Sequence, residues 1–187
     1  EIYSCDWSSD VCSSDLAVID FSAPASLPAL AAYVQRTGTP LVSGTTGYCD
    51  EEAARVNALG SYAPVAVSAN FSIGVAVLKH LAAEAAALLP DFDIEIIETH
   101  HRMKKDAPSG TAKLLLSAVN PDGTHPTVFG REGFAPRTAD GIGVHAVRGG
   151  TVAGVHTVSF FGDEEELSLT HRAESRRIFA IGALKTA

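Results

Sequence analysis

Cysteine is scarce in this 187-residue chain, and its placement limits the folds and compartments to consider. Two of the three cysteines, Cys5 and Cys12, lie within the first 15 residues, so Cys49 is the only one in the remainder. A single cysteine cannot form a disulfide, which excludes a disulfide-stabilised fold for residues 16–187. The pattern favours a reducing, cytoplasmic compartment.

Positive charge is also in short supply, because 14 lysines and arginines face 22 aspartates and glutamates, for a formal net charge of −8. Such a chain has no general attraction to nucleic acid, and no nucleic-acid partner is predicted. Charge of either sign is absent between Arg55 and Lys79, a length that would suit a membrane span. Four residues interrupt this run: Asn57, Gly60, Pro64 and Asn70. No membrane segment or membrane partner is therefore predicted.

The first 15 residues lack the features of a folded segment and those of a signal peptide. Residues 8–15 read Ser-Ser-Asp-Val-Cys-Ser-Ser-Asp, a near-repeat of one four-residue unit without apolar periodicity. A signal peptide would need a basic start followed by an apolar stretch, and neither is present. Residues 1–15 are interpreted as a non-native leader, and the fold is expected to begin at Leu16.

Short branched strands alternate with helices in the first part of the fold, residues 16–71. Strands are predicted at residues 16–20, 41–43 and 65–68. A helix is predicted at residues 26–37, and a glycine follows its end. Three strands with helices between them predict a partial Rossmann-type domain with a parallel sheet.

Two loops follow the second and third of these strands. They read Gly44-Thr45-Thr46-Gly47 and Ser68-Ala69-Asn70-Phe71. Loops at the carboxyl ends of the strands carry the ligand in an open parallel sheet, so both loops are candidates for a cofactor contact. Ordinary turn chemistry is the alternative for both.

Residues 72–187 show a different pattern, which predicts an α+β domain with a mostly antiparallel sheet. A long helix is predicted at residues 72–89, with six apolar residues on one face: Ile73, Val77, Leu78, Leu81, Ala85 and Leu88. Two shorter helices are predicted at residues 112–119 and 176–184. Further strands are predicted at residues 94–97, 142–147, 152–161 and 166–170.

One run in this second part imitates a dinucleotide-binding fingerprint. Gly141-Ile142-Gly143-Val144-His145-Ala146 matches Gly-x-Gly-x-x-Ala. The fingerprint requires its glycines between a strand and a helix, whereas these lie inside a strand-like branched run. We assign the run no cofactor role.

A short basic segment stands out in the acidic chain. After the branched strand Ile94–Ile97, His100 and His101 open a stretch in which three cations oppose Asp106 alone: Arg102, Lys104 and Lys105. The segment runs directly into Pro108-Ser109-Gly110-Thr111, which predicts the start of a helix. The predicted order is strand, charged loop and helix.

Cations beside a helix start predict an anion site, because the first backbone N–H groups of a helix have no internal partner and carry partial positive charge. Ser109 or Thr111 could cap the helix, and Gly110 would let a ligand approach the backbone closely. A small dicarboxylate or a phosphate would suit such a site. The alternative is a solvated basic turn, which leaves two histidines after a buried strand unexplained.

The adjacent histidines could also be a fragment of a metal site. No cysteine or third histidine lies nearby at the spacing of metal ligands. No metal is therefore predicted.

Residues 98–112 read Glu-Thr-His-His-Arg-Met-Lys-Lys-Asp-Ala-Pro-Ser-Gly-Thr-Ala and closely resemble the signature of the dihydrodipicolinate reductase family. The resemblance implies a Rossmann-type domain for NADH or NADPH, a substrate domain, and a homotetramer assembled through the sheets of that second domain. It implies the reduction of dihydrodipicolinate, or its hydroxy-tetrahydro form, to tetrahydrodipicolinate in lysine and diaminopimelate biosynthesis.

The resemblance also implies roles for individual residues. His100 and Lys104 correspond to the proposed catalytic acid-base residue and proton donor. Four residues would bind the dicarboxylate substrate: His101, Ser109, Gly110 and Thr111. Seven would contact the cofactor: Gly44, Thr45, Thr46, Ser68, Ala69, Asn70 and Phe71.

Some features of the family pattern are absent from the sequence. No Gly-x-x-Gly-x-x-Gly phosphate loop precedes Leu16, and the chain stops inside the helix predicted from residue 176. The chain is interpreted as a fragment with weak or absent cofactor binding. Three hypotheses follow: a truncated reductase, a non-catalytic remnant that binds a small dicarboxylate or a sister subunit, and an unrelated phosphate-binding module.

Overall fold

A computed structural model of the protein describes residues 17–187. The chain forms two compact units, and the division falls between Ser68 and Ala69. The predicted leader, residues 1–15, lies outside the described residues. Within the described part, no helix combines the length and the apolar character needed to cross a bilayer.

The first unit contains a three-stranded parallel sheet in the order β1-β2-β3. Its strands are β1 (Val18–Asp20), β2 (Leu41–Ser43) and β3 (Val65–Val67). Helix α1 (Leu27–Thr37) connects the first two strands and α2 (Asp50–Ala58) lies before the third, with short 3-10 turns at Pro24–Ser26 and Leu59–Ser61. This confirms the predicted strand-helix-strand arrangement and its parallel sheet.

Local sequence signals set the limits of α1. A proline in its first turn fits a position where no backbone N–H is needed. Gly38 ends the helix with a φ of 67°, the left-handed conformation that a residue without Cβ adopts most easily. One side of α1 is buried through Leu27, Ala31 and Val34. These side chains pack with those of β2 and α2 in the core of this unit.

The second unit is built on a five-stranded mixed sheet in the order β5-β6-β4-β7-β8. Its strands are β4 (Asp93–His100), β5 (Thr127–Phe129), β6 (Ile142–Arg148), β7 (Gly154–Gly162) and β8 (Glu165–Ala173). Strands β4 and β8 each form a long antiparallel ladder with β7, whereas β5–β6 and β4–β6 pair in parallel. The mostly antiparallel sheet is confirmed, and β5 is a strand that the sequence did not predict.

Three helices belong to this part of the chain: α3 (Ile73–Leu88), α4 (Gly110–Val119) and α5 (Arg177–Thr186). Serine caps the first two, because Ser72 Oγ accepts from the N–H of Val75 at 3.3 Å and Ser109 Oγ from that of Ala112 at 3.1 Å. Both helices contribute to one core with the sheet. Its fully buried sheet residues include Ile96, Val158 and Phe160.

The apolar face that the sequence indicates on α3 coincides only in part with the face that is buried. The helix buries Val75, Leu78, Ala82 and Ala85, so only Leu78 and Ala85 of the predicted set are inside. The other four members of that set are between 43% and 78% exposed: Ile73, Val77, Leu81 and Leu88. Apolar residues surround most of this helix, so their spacing does not by itself identify the face that packs on the sheet.

Candidate active site

The candidate site lies where β4 ends beneath the first turn of α4. Successive side chains of a strand point to opposite faces of the sheet, so Ile96, Glu98 and His100 share one face. All three are buried, although two of them are polar. Buried polar groups require partners, and the contacts of Glu98 and His100 organise the site.

The carboxylate of Glu98 is fully buried and accepts hydrogen bonds from three residues. Arg148 donates to both of its oxygens at 2.8 Å, and the backbone N–H of Ser109 donates to Oε1 at 3.0 Å. His100 Nδ1 lies 2.6 Å from Oε2. Burial alone would raise the pKa of Glu98, but these hydrogen bonds outweigh it and lower that pKa. Glu98 is therefore a buried, ionised carboxylate.

His100 is held between Glu98 and the start of β7. A Cβ atom on Gly154 would lie 3.1 Å from His100 Nε2, so the ring of His100 fits because residue 154 has no side chain. Burial lowers the pKa of His100, and the attraction of Glu98 compensates only in part. The His100 ring therefore loses its proton at a lower pH than an exposed histidine does.

A second histidine, His156 on β7, packs against the first. The rings of His100 and His156 meet edge to face with their centroids 5.0 Å apart. His156 Nε2 lies 3.0 Å from Ser109 Oγ. Burial and the nearby His100 lower the pKa of His156 to about 4, so it is neutral at physiological pH.

The first turn of α4 is the place where the sequence predicts an anion site. The hydroxyl and N–H of Ser109 make contacts within the protein, to Ala112, His156 and Glu98. Gly110 and Thr111 are the first two helical residues, and their N–H groups have no partner inside the helix. The free donors of this turn therefore come from Gly110 and Thr111, with Ser109 supporting them.

The loop at the start of the second unit, residues 69–71, reaches this turn through Asn70. Asn70 Nδ2 donates to Thr111 Oγ1 at 2.8 Å, and Asn70 Oδ1 accepts from the N–H of Ser72. Phe71 packs beneath α5, where a Cβ atom on Gly182 would lie 1.7 Å from the Phe71 carbonyl oxygen. Asn70 is thus joined directly to the candidate substrate-binding turn.

The basic loop after β4 is anchored at both ends. The carbonyl of His101, which is partly exposed, accepts from the N–H of Lys104 at 3.1 Å. Lys104 Nζ forms an ion pair with Asp106 Oδ1 at 2.8 Å, and this hydrogen bond lowers the pKa of Asp106. Arg148 donates to the Asp106 carbonyl at 2.7 Å. The predicted residues His100, His101, Lys104 and Ser109–Thr111 are therefore gathered within one unit.

The predicted cofactor loop after β2 is organised by Asp20 at the end of β1. Asp20 is 9% exposed and accepts hydrogen bonds from the hydroxyls of Ser22, Ser43 and Thr45. A Cβ atom on Gly44 would lie 2.2 Å from the ring of Phe21, so this glycine is required by packing within the protein. Thr45 is buried and Thr46 is exposed. Ser68 ends the same unit, and its N–H donates to the Ser43 carbonyl at 3.1 Å.

Two features of this loop region suit the predicted cofactor contact. The Asp20 carboxyl group is directed inward to three hydroxyls, while Thr46 is exposed beside the strand ends. The carboxyl ends of parallel strands are where such sheets bind ligands.

Sequence reasoning missed four organising residues: Asp20, Glu98, Arg148 and His156. Glu98 lies two residues before His100 in an apolar strand, and strand periodicity places both side chains on one face. That spacing was the available signal for Glu98. Arg148 and His156 reach the site through strand pairing, which no local pattern reveals.

No three histidine, cysteine, aspartate or glutamate side chains of residues 17–187 are grouped to hold a metal ion.

Comparisons with known proteins identify relatives of the whole chain. A family model described as dihydrodipicolinate reductase, N-terminus, matches residues 2–71, and one described as dihydrodipicolinate reductase, C-terminus, matches residues 74–187. The 4-hydroxy-tetrahydrodipicolinate reductase of Haloarcula marismortui is 44% identical over 170 residues, which cover 91% of this chain and 68% of that protein. The Brachyspira hyodysenteriae reductase of the same name is 43% identical over 172 residues, covering 91% and 74%.

A solved structure is also similar. It is the dipicolinate-bound dihydrodipicolinate reductase from Paenisporosarcina sp. TG-14, with a TM-score of 0.71 and 28% sequence identity. The match covers 90% of this chain and 66% of that one. The present chain therefore spans roughly two thirds of the length of this relative.

Proposed function

This chain belongs to the dihydrodipicolinate reductase family of NAD(P)H-dependent oxidoreductases of lysine and diaminopimelate biosynthesis, and we propose that residues 98–111 form its substrate site. The observation that carries the proposal is that His100, Arg148 and the first turn of α4 all bind one buried carboxylate, Glu98, while Lys104 lies in the adjoining loop. The relative from Paenisporosarcina is described with bound dipicolinate, a dicarboxylate, which supports a dicarboxylate ligand here.

In this proposal one carboxylate of the substrate binds the first turn of α4. The N–H groups of Gly110 and Thr111 are its donors, and the positive end of the helix dipole favours the negative charge. Ser109 caps the helix and holds these donors in place. His101 and the ammonium of Lys104 lie in the adjoining loop and contact the remaining polar groups of the substrate.

His100 and Lys104 are the proposed proton-transfer residues. NADH or NADPH supplies the hydride when it is bound. Adding hydride to a carbon conjugated with an imine places an electron pair on the conjugated system, and one proton must neutralise it. The Lys104 ammonium, held by Asp106, and His100 Nε2, which faces away from Glu98, are the groups placed to handle that proton.

For the cofactor, we propose contacts from the two loops that the sequence predicts. Gly44, Thr45 and Thr46 follow β2, where Asp20 orders the loop and Thr46 is exposed. Ser68 ends the first unit, and Ala69, Asn70 and Phe71 begin the second. The loop residues would position the cofactor through backbone groups and the hydroxyl of Thr46.

We also propose a homotetramer in the cytoplasm, assembled through the sheet of the second unit. Ile97, Val147 and Phe161 are 39%, 47% and 39% exposed. Strand alternation and register place them on the sheet face opposite the buried Ile96 and Val158. Exposed apolar side chains on one face of a sheet support burial by another copy.

Calorimetric titration of the chain with pyridine-2,6-dicarboxylate tests the substrate site, and NADH is titrated separately. The wild type should bind the dicarboxylate, and the double variant His101→Ala, Lys104→Ala should not. Lys105→Ala is the matched control, since it removes the same charge from an exposed position in the same loop and should leave binding nearly unchanged.

The outcomes separate the alternatives. Dicarboxylate binding without NADH binding or turnover would support a non-catalytic binding protein. No dicarboxylate binding by a chain whose circular dichroism shows it to be folded would contradict the proposed site.

A further inference from the structure

Four buried side chains form a closed ring of contacts in the candidate site. Glu98 binds His100 Nδ1 at 2.6 Å, and the ring of His100 packs edge to face on His156 at 5.0 Å. His156 Nε2 lies 3.0 Å from the hydroxyl of Ser109. The backbone N–H of Ser109 donates to Glu98 Oε1 at 3.0 Å and closes the ring. All four residues are at most 8% exposed. The ring connects the proposed proton-transfer histidine to the proposed substrate-binding turn.

The hydrogen-bond donors around Glu98 determine which nitrogen of His100 carries the proton. Arg148 and the backbone N–H of Ser109 can only donate, so they require both oxygens of Glu98 to be acceptors. An ionised carboxylate has no proton to give, and the remaining contact must therefore be donated by His100 Nδ1–H. In the neutral ring, Nε2 then carries a lone pair.

The surroundings of the ring also fix its position. Nε2 and Cδ2 of His100 lie over Gly154, at 3.1 and 3.5 Å from where a Cβ would be. Its neighbours on the facing elements are His156 on β7, Lys104 in the basic loop and Arg148 on β6, and the positive charges of the last two disfavour protonation of the ring. The ring is consequently oriented by one hydrogen bond and two packing contacts.

We propose that Glu98 is a positioning residue for the reaction. It holds His100 in the Nδ1–H tautomer, with Nε2 directed away from the carboxylate, and fixes the first turn of α4 relative to that ring through the N–H of Ser109. Arg148 makes this possible by pairing with a charge that is otherwise costly to bury. This inference rests on the proposed function of the site, because it assigns how His100 and the anion-binding turn are held together.

The substitution Glu98→Gln should reverse the tautomer. An amide group replaces one acceptor oxygen with an NH₂ donor. The N–H groups of Ser109 and Arg148 cannot change their role, so one Arg148 contact is lost whichever side the amide NH₂ occupies, whereas an imidazole can move its proton from Nδ1 to Nε2. The amide NH₂ should therefore turn towards His100, which would accept through Nδ1 and carry its proton on Nε2.

Two-bond ¹H–¹⁵N correlation spectra of the histidine-labelled full chain at pH 7.5 measure the tautomer directly. A His100→Asn variant identifies the signals of His100. The wild type should show a protonated Nδ1 and an unprotonated Nε2, and Glu98→Gln the opposite. A folded wild type with the proton of His100 on Nε2 would overturn the proposal, whether or not Glu98→Gln is stable.

Glu95→Gln is the matched control, because Glu95 lies on the same strand with arginine and histidine partners of its own. It pairs with Arg131 at 2.8 Å and with His145 at 2.7 Å. Strand alternation places it on the opposite face from Glu98. Glu95→Gln should leave the tautomer of His100 and the binding of pyridine-2,6-dicarboxylate unchanged.

Kinetics and binding give the second readout. Glu98→Gln should lower kcat by roughly 10- to 100-fold, as expected for losing the partner that orients a histidine, and alter the pH profile of kcat. Pyridine-2,6-dicarboxylate should bind less tightly by under roughly tenfold, because the N–H donors of Gly110 and Thr111 remain. A switched tautomer with unchanged kcat and pH profile would overturn the positioning role.

The failure of this inference is distinguishable from failure of the proposed function. If the wild type neither binds the dicarboxylate nor shows catalytic turnover, the proposed function fails. The spectra would still show whether Glu98 holds His100 in the Nδ1–H tautomer. If the wild type binds the dicarboxylate and Glu98→Gln binds it equally well with the same tautomer, the inference alone fails.

Discussion

The hydroxyl oxygen of Ser109 lies 3.0 Å from Nε2 of His156 and also accepts the N–H of Ala112 at 3.1 Å. One side chain thus caps α4 and attaches that helix to the sheet. The start of α3 repeats the arrangement more loosely, with Ser72 Oγ 3.4 Å from Nε2 of His171 on β8. The N-termini of both helices are therefore attached to histidines of neighbouring strands, which places the proposed anion-binding turn over the end of β4 and the start of β7.

Ser109→Ala should destabilise the second unit by about 1–3 kcal/mol. The substitution removes the cap of α4 and leaves Nε2 of the buried His156 without its partner. Urea unfolding followed by circular dichroism measures the loss. Ser117→Ala is the control, because this exposed serine of α4 bonds only to the Leu114 carbonyl; it should stay within about 0.5 kcal/mol of the wild type. Equal stability of the two variants would contradict the capping role.

The stability of the protein should fall as the pH drops from 6.5 towards 4. The pKa of His156 is about 4 in the folded state against an ordinary 6.5, so the unfolded state binds more protons in this window. The stability that comes from keeping His156 neutral is complete above pH 6.5 and is lost by about pH 4. The loss is about 3 kcal/mol for this residue. His100 and His171, whose pKa values burial also lowers, act in the same direction.

His156→Gln tests the assignment of that pH dependence to His156. A glutamine keeps a polar group near Ser109 but does not titrate, so the variant should lose less stability than the wild type between pH 6.5 and 4. Chemical unfolding at several pH values gives the two slopes. Parallel slopes would show that other groups cause the acid sensitivity.

Gly154→Ala should impair the site more than it destabilises the fold. The new Cβ would lie 3.1 Å from His100 Nε2, so the ring must move by a few tenths of an ångström. A shift of this size should lower kcat several-fold, less than the roughly 100-fold loss expected for a 1 Å displacement. In Gly149→Ala the Cβ meets nothing within 4 Å, and steady-state kinetics should show little change. Similar kcat values for both variants would argue against a constrained His100.

Arg148→Ala should be among the most destabilising single changes in the second unit. The substitution leaves the fully buried carboxylate of Glu98 without an arginine or lysine partner within residues 17–187. The free energy of unfolding should fall by about 3–5 kcal/mol. Arg148→Lys keeps the charge but loses the two-point contact and should cost less. Thermal unfolding of the three proteins gives the order, and an alanine variant as stable as the lysine variant would contradict it.

The sequence alone identified the family through a continuous signature, and it predicted the parallel sheet, the mostly antiparallel sheet and the start of α4. These features depend on neighbours in the chain. Strand periodicity, a glycine after a helix and a serine before one act over a few residues, and their physical effects are the same wherever the segment lies. His100, His101 and Lys104 could be proposed as site residues for the same reason, since they lie within a few consecutive residues at the end of β4 and in the loop after it.

Tertiary structure decided the partners of these residues. Glu98 meets Arg148 across the parallel pairing of β4 with β6, and His156 reaches Ser109 from β7, at sequence separations of 50 and 47 residues. Helix packing also determines which face of α3 is buried, because this helix is apolar around most of its surface. Strand pairing likewise determines that β5 forms an edge strand beside β6. Strand register and helix packing minimise the free energy of the whole unit, so the groups that they bring together are determined by contacts that no single stretch of sequence contains.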